Sequence, residues 1–258
     1  MLKIDLSGRT ALVLGGSRGI GAGIVDTLAS CGATTVFTHS GNPIHEKRVK
    51  AFLDKLQIRE AEVWGIAANA TDSIQTERAV QSVLTRTGRI DILVCNVGRN
   101  EAREISKISD EEWRVFLDLN LSSAFYGVRS VLKIMEKQRY GRIILIGSSA
   151  VYDGGGGALD YAAAKAALSG MLKYLCRLYT RKGILTNIIH PCVIETDLLK
   201  ERYNDNNLRQ KLIDQIPVGR LGQPSDIAGL TAFLVSHCGD YICGQEILVD
   251  GGRTMYNK

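Results

Sequence analysis

Short apolar runs alternate along the chain with longer stretches of helical period. Thr10–Leu14 reads as a first strand, and a helix follows from about Ile20 to Cys31. Thr34–Thr38 is a second strand, with a charged amphipathic helix after it. Further strands are predicted at Glu62–Ala67, Ile90–Val94, Arg142–Ile146, Leu185–His190 and Glu246–Val249. Helical patterns lie near Ile74–Arg86, Asp110–Glu136, Ala158–Arg181 and Ser225–Ser236. Near-continuous apolar strands separated by helices imply a parallel sheet buried on both faces. Crossovers between parallel strands are right-handed, which leads to a doubly wound α/β fold of Rossmann type with helices on both faces. No linker breaks the alternation, so residues 1–258 are expected to form a single domain.

Composition narrows the field. Hydrophobic residues make up 45% and charged residues 23%, ordinary values for a globular protein with a sizeable core. No apolar run approaches the roughly 20 residues of a membrane span. The net charge of +5 is spread out, and no basic block with interleaved aromatics points to nucleic acid. The six cysteines include no C-x-x-C pair, and Lys3, Asp5 and Arg9 interrupt any N-terminal signal pattern. Free thiols in a reducing, cytoplasmic setting are therefore expected. An anionic substrate or an acidic partner stays open.

The first strand runs into Gly15-Gly16-Ser17-Arg18-Gly19-Ile20-Gly21 and then a helix. Glycines in such a turn let backbone approach a pyrophosphate, and the helix N-terminus meets that anion with free N–H groups. An NAD site usually places an acid at the end of the second strand, against the ribose 2′-hydroxyl. Here that place reads Thr38-His39-Ser40-Gly41, with no carboxylate. Arg18 offers fork geometry to a 2′-phosphate instead. The expected cofactor is NADP(H). Arg18 as a solvated arginine and His39 as a polar strand end are the bland readings.

Tyr161-Ala-Ala-Ala-Lys165 sets a phenol and an ammonium on one helix face. A free phenol titrates near 10, so it needs help to act as a base near neutrality, and a nearby lysine charge favours the phenolate. The same phenol serves as the acid in a reduction. Ser148 follows the strand Arg142–Ile146, in the crevice where such sheets bind ligands, and its hydroxyl can hydrogen-bond a substrate carbonyl. Either motif alone reads equally well as a surface pair or a turn; their order after the glycine turn points to carbonyl chemistry.

With these motifs the chain resembles the short-chain dehydrogenase/reductases over essentially its whole length, most closely the 3-oxoacyl-acyl-carrier-protein reductases. The resemblance rests on Gly15–Gly21, Asn96 and Gly98, Asn120 within Asp118–Leu121, Ser148, Tyr161, Lys165, Asn187, Pro191, Ile194 and Thr196. It continues through Pro217–Pro224 and Val249–Gly252. It implies a catalytic set of Asn120, Ser148, Tyr161 and Lys165, in which Asn120 holds a water on a proton path to Lys165. It also implies that Lys165 binds the nicotinamide ribose, that Pro191, Ile194 and Thr196 place the nicotinamide, and that Asn96 steadies the sheet beside the cofactor. Gly15, Ser17, Arg18, Gly19, Ile20, Gly21, His39, Ser40, Asn69, Ala70 and Gly98 complete the expected cofactor contacts. A homotetramer is implied, paired through the helices bearing Asn120 and Tyr161, and a role in fatty acid biosynthesis.

Several positions depart from that pattern. Leu14, Cys95, Val97 and Cys243 replace the usual residues, and Cys192 replaces the glycine after Pro191. Asn69 stands where an aspartate often meets adenine; an amide oxygen can still accept that bond. Cys192 reads as a buried, inert thiol beside the nicotinamide pocket. Gly154–Gly157 forms a rim without side chains, which suits either a bulky or tethered substrate or a neutral flexible loop. Tyr152 and Asp153 could reach the substrate from it. Arg139 and Lys182 fall where the resemblance puts contacts to an acidic acyl carrier protein; a solvated basic face is the plainer alternative. Three functions follow in order: a reductase of a 3-oxoacyl thioester, an enzyme of a free ketone, polyol, steroid or secondary-metabolite carbonyl, and a nucleotide-sensing protein without turnover. No metal is expected.

Overall fold

The computed structural model describes residues 4–57, 62–155, 157–196, 199 and 205–255. Seven strands form one parallel sheet: β1 (Thr10–Leu14), β2 (Thr34–His39), β3 (Val63–Ala67), β4 (Ile92–Cys95), β5 (Gly141–Ile146), β6 (Ile184–Pro191) and β7 (Glu246–Val249). Their order is β3-β2-β1-β4-β5-β6-β7. The order reverses between β1 and β4, where Ala11 pairs with Thr35 on one side and Ile92 on the other. Such a reversal opens a crevice at the strand C-termini, the place where sheets of this kind receive ligands.

Nine helices cover the sheet: α1 (Gly19–Ser30), α2 (Pro43–Gln57), α3 (Ser73–Thr87), α4 (Asp110–Leu117), α5 (Ser123–Gln138), α6 (Ala150–Asp153), α7 (Leu159–Tyr179), α8 (Asn206–Ile213) and α9 (Pro224–Val235), counted among the described residues. Side chains of a strand alternate between faces. Ala11 and Val13 therefore join one core with Ile24, Leu28 and Ile227 of α1 and α9. Leu12 and Leu14 join the other with Val80, Val128, Val131 and Leu172 of α3, α5 and α7. Both cores are closed, as the continuous apolar strands require. Among the described residues no helix is long and apolar enough to cross a membrane.

Three features differ from the sequence reading. The helix expected over Asp110–Glu136 is α4 and α5 joined by a π turn at Asp118–Ser122. The apolar period runs unbroken through both halves, so the pattern alone does not reveal the extra residue. Neither α6 nor α8 was expected: α6 is a single turn, and α8 is mostly polar, with no buried residue. β4 begins at Ile92 rather than Ile90, because the Ile90 N–H is taken by the Gln138 side chain at 3.0 Å.

Candidate active site

The glycine turn leads from β1 into α1 and is pinned to the end of β2: the Gly15 N–H donates to Thr38 Oγ1 at 3.1 Å and the Gly16 N–H to the Thr38 carbonyl at 3.1 Å. Asn96, one residue past β4, donates from Nδ2 to the Gly15 carbonyl at 2.8 Å. Gly21 packs so tightly here that a methyl group on it would stand 2.6 Å from Asn96 Nδ2. Arg18 holds the N-cap position of α1, and its side chain makes no capping bond. A serine or aspartate there would occupy the first-turn N–H groups; arginine leaves them to an anion.

These groups open onto a cavity of about 560 Å³ at the strand C-termini, a volume suited to a cofactor with a small substrate. Gly15, Ser17, Arg18, Gly19, Ile20, His39, Ser40, Asn69, Ala70, Asn96, Gly98, Ser148, Tyr161, Lys165, Pro191, Ile194 and Thr196 all line it. Gly21 lies behind the lining, against Asn96. His45, Arg48, Arg99 and Arg253 line it as well, and sequence reasoning missed them. Every charged side chain on the wall is basic: no Asp or Glu lines the cavity among the described residues. That charge pattern, the tight Gly21 and the uncapped helix fit a dinucleotide.

At the other end of the cavity β5 delivers Ser148 and α7 delivers Tyr161 and Lys165. Ser148 rests on a buried relay. His190 Nδ1 accepts from the Ser148 N–H at 3.1 Å, and Nε2 meets Glu246 Oε2 at 3.1 Å. Ser169 Oγ donates to the same carboxylate oxygen at 2.7 Å. Burial holds the His190 pKa below its usual value, so the ring is neutral and can donate at one nitrogen while accepting at the other. The N-terminus of α7 is fixed by the fully buried Asp160, which accepts from Arg103 Nη2 at 2.7 Å, while Arg103 Nη1 reaches Glu112 at 2.8 Å.

The Ser148 hydroxyl and the Tyr161 phenol line the same stretch of the cavity. Burial pushes that phenol above its ordinary pKa, and the nearby Ser148 hydroxyl only partly offsets this. The expected lowering by the Lys165 charge is absent. The ammonium is 6.0 Å from the ring centroid and donates to the Ile146 carbonyl at 2.9 Å and the Val97 carbonyl at 3.5 Å. Burial drives Lys165 down to about 8. The resting site thus holds a protonated phenol, a proton donor rather than a base.

Asn120 sits in the π turn and is buried. Its Nδ2 donates to the Phe116 and Arg99 carbonyls, each at 3.0 Å, and its Oδ1 accepts from the Arg99 N–H at 3.1 Å. π turns concentrate at functional sites, and here the side-chain amide serves a helical carbonyl within the widened turn. Gly98 separates Asn120 from Lys165: a methyl group on it would stand 2.8 Å from Asn120 Oδ1 and 3.2 Å from Lys165 Nζ.

Some expected features change. Asn69 Oδ1 already accepts from the Thr71 N–H at 3.1 Å and the Thr71 hydroxyl at 2.9 Å, so its free group toward adenine is the Nδ2 donor. Cys192 is half-buried on the cavity wall rather than sealed in the core. The glycine rim is partly held: the Gly155 N–H donates to Asp153 Oδ1 at 2.8 Å and Gly157 is pressed against Asn100, while Gly156 lies outside the described residues. Arg139 and Lys182 precede β5 and β6, at the edge opposite Ser148, about 20 Å away along the strand. Lys182 is paired with Glu136 at 2.5 Å. All six cysteines are free thiols, and no cluster of metal-ligating side chains occurs among the described residues.

A family model described as enoyl-(acyl carrier protein) reductase matches residues 15–254. The 3-oxoacyl-[acyl-carrier-protein] reductase FabG of Escherichia coli (strain K12) is 38% identical over 252 residues, covering 98% of this chain and 100% of the relative. The protein of the same name from Aquifex aeolicus is 32% identical, covering 97% of this chain and 99% of its own. A solved short-chain dehydrogenase/reductase from Serratia marcescens superposes with a TM-score of 0.88 at 31% identity, over 96% of this chain and 99% of that one.

Proposed function

The chain belongs to the short-chain dehydrogenase/reductase family and is an oxidoreductase of CH–OH and C=O groups with a nicotinamide cofactor; we propose that it is an NADPH-dependent reductase of 3-oxoacyl thioesters. The observation that carries the reading is the meeting of Ser148, Tyr161 and Lys165 on the wall of one basic cavity, with the phenol held protonated by burial. The whole of residues 1–258 is taken as one NADP(H)-binding domain.

The glycine turn, the α1 N-terminus, Asn96 and Lys165 would hold the cofactor, and Arg18, with His39 and Ser40 near it, its 2′-phosphate. When bound, the nicotinamide supplies the hydride equivalent for reduction. Ser148 orients the substrate ketone by donating to its oxygen. Tyr161 gives that oxygen a proton from its Oη as the alcohol forms. Lys165 and Asn120, on either side of Gly98, restore the proton to the phenol by way of water. The neutral His190, braced by Glu246, keeps the Ser148 backbone in place throughout. The 3-oxoacyl class comes from full-length kinship to reductases of that name, and a carrier-bound substrate from the same source. Arg139 and Lys182 do not contribute to that argument, since they face the far edge of the sheet.

The deciding experiment is NADPH oxidation by the purified chain against acyl-thioester, steroid, sugar and quinone carbonyls. Turnover of the thioester well above the others is expected; a preference for any other class reassigns the substrate. NADPH is expected to bind about one to two decades tighter than NADH, and Arg18→Ala to erase most of that margin, since a charge-assisted bond contributes about 1.5–3 kcal/mol. Equal dissociation constants for the two cofactors in the parent protein would overturn the assignment. A homotetramer is also expected, built on α5 and α7, which expose Phe125 and Tyr174. Light scattering that returned one chain mass at micromolar concentration would reject it.

A further inference from the structure

Arg253 has no part in the chemistry above, yet it enters the reaction cavity from the C-terminal segment. Past β7 the chain turns back at Gly251 and Gly252, whose φ values are 65° and 87°. Asp250 fixes that turn by accepting from the Gly252 N–H at 2.9 Å and the Thr254 N–H at 2.7 Å. The turn carries Arg253 to Cys192, where Nη1 donates to the sulfur at 3.4 Å. Cys192 follows Pro191 and lines the same cavity as Ser148 and Tyr161. Arg253 therefore enters the cavity between Cys192 and the glycine rim that carries Asp153.

Its partners leave it with bonding capacity to spare. Nη2 donates to Gln215 Oε1 at 3.0 Å, a neutral acceptor. Asp153, on the glycine rim, approaches only to 4.0 Å. A guanidinium carries five N–H donors in a fixed fork, and two are engaged here by neutral groups. The Asp153 carboxylate, the nearest acid, stands at the outer limit of an ion pair and beyond hydrogen-bond reach, so donors of the fork stay open to a ligand. A positive donor beside the reacting position favours a substrate with an oxygen acceptor next to its ketone.

We infer that Arg253 is the subsite for a second acyl oxygen of the substrate, the thioester carbonyl or free carboxylate placed β to the ketone that Ser148 and Tyr161 receive. This rests on the reading of the chain as a carbonyl reductase and deepens it. Arg253 selects 1,3-dicarbonyl compounds over plain ketones and sets which end of the molecule points toward the C-terminal segment.

The test compares the full chain with Arg253→Met, which keeps bulk, and Arg253→Lys, which keeps charge but not the fork. The three substrates are the acetoacetyl thioester of N-acetylcysteamine, free acetoacetate, and a methyl ketone of matched length without the second carbonyl. Arg253→Met is expected to lower kcat/KM about 10- to 100-fold for the dicarbonyls, mostly through KM, and less than about threefold for the plain ketone. Arg253→Lys should recover part of the loss, more for acetoacetate than for the thioester. NADPH affinity by fluorescence titration and the melting temperature should stay at parent values; if the Met variant does not fold, the Lys variant carries the comparison. Equal losses on all three substrates, or no loss on the dicarbonyls, would overturn the inference. If the plain ketone is not turned over, the dicarbonyls decide alone, against unchanged NADPH binding. Reduction of acetoacetate but not the thioester, lost in Arg253→Met, would end the thioester reading and leave the subsite standing. Turnover of plain ketones only would end both.

Discussion

Tyr161→Phe is expected to cut carbonyl reduction by about 10²- to 10⁴-fold, the usual contribution of a positioned acid, while NADPH still binds. The substitution deletes one oxygen and keeps the ring. Ser148 keeps its backbone on His190, and its Oγ still accepts from the Ala150 N–H at 3.2 Å. Lys165 keeps its bond to the Ile146 carbonyl, and the glycine turn is untouched. The defect should therefore appear in single-turnover NADPH oxidation and leave the NADPH dissociation constant near the parent value. A variant retaining a tenth of parent turnover would move the proton donor elsewhere.

Lys165→Met combines a catalytic loss with a gain in stability. The ammonium is buried, and its pKa falls from 10.5 to about 8 on folding. For a lysine depressed in this way the folded state holds fewer protons than the unfolded state between those values. Stability therefore rises as pH climbs from about 8 to 10.5, and the full penalty of the buried charge is present below about 8. That gap corresponds to about 3 kcal/mol. Methionine removes the penalty but leaves the Ile146 carbonyl without its donor, which costs about 1–2 kcal/mol. At pH 7 the variant should be more stable than the parent by about 1–2 kcal/mol, and at pH 10 the advantage should vanish or reverse. Turnover should fall by about 10²-fold or more, in line with the removal of a preorganised charged donor. Denaturant midpoints of both proteins at the two pH values check the sign. A variant equally destabilised at both would show that the ammonium is not penalised in the fold.

Much of this architecture was legible before any coordinates. The central strands, buried on both faces, read as near-continuous apolar runs, and the half-buried edge strands β3 and β7 keep enough apolar residues to be legible too. The glycine turn, Ser148, Tyr161 and Lys165 follow from local chemistry at short spacing, and they do line one cavity. What stayed hidden depends on distance in space. Arg139 and Lys182 match positions where the resemblance puts contacts to an acidic carrier, but they precede β5 and β6 and so stand at the end of the sheet opposite Ser148. Arg48 and His45 lie in a helix whose charged period predicts only a solvated face, yet its first turns lean over the cavity. Arg253 follows two glycines in a segment with no period, so nothing local tells where it points. Spacing alone also misleads on Tyr161, whose phenol is raised by burial with no lowering from the Lys165 charge.

The π turn around Asn120 also bears on how such a site is gained or lost over generations. A wide turn of this kind holds one residue more than a regular helix needs to join the same two flanks. The apolar faces of α4 and α5 stay in phase on either side, with Phe116 before it and Ala124, Val128 and Val131 after it. In genetic terms the turn has the form that a one-codon insertion into a regular helix would produce. An ancestor with an uninterrupted helix could acquire the amide in a single event without repacking either half. The reverse event would leave a straighter helix and no amide beside Lys165. Mutational drift toward a tidier scaffold and selection for turnover therefore pull in opposite directions at this one turn.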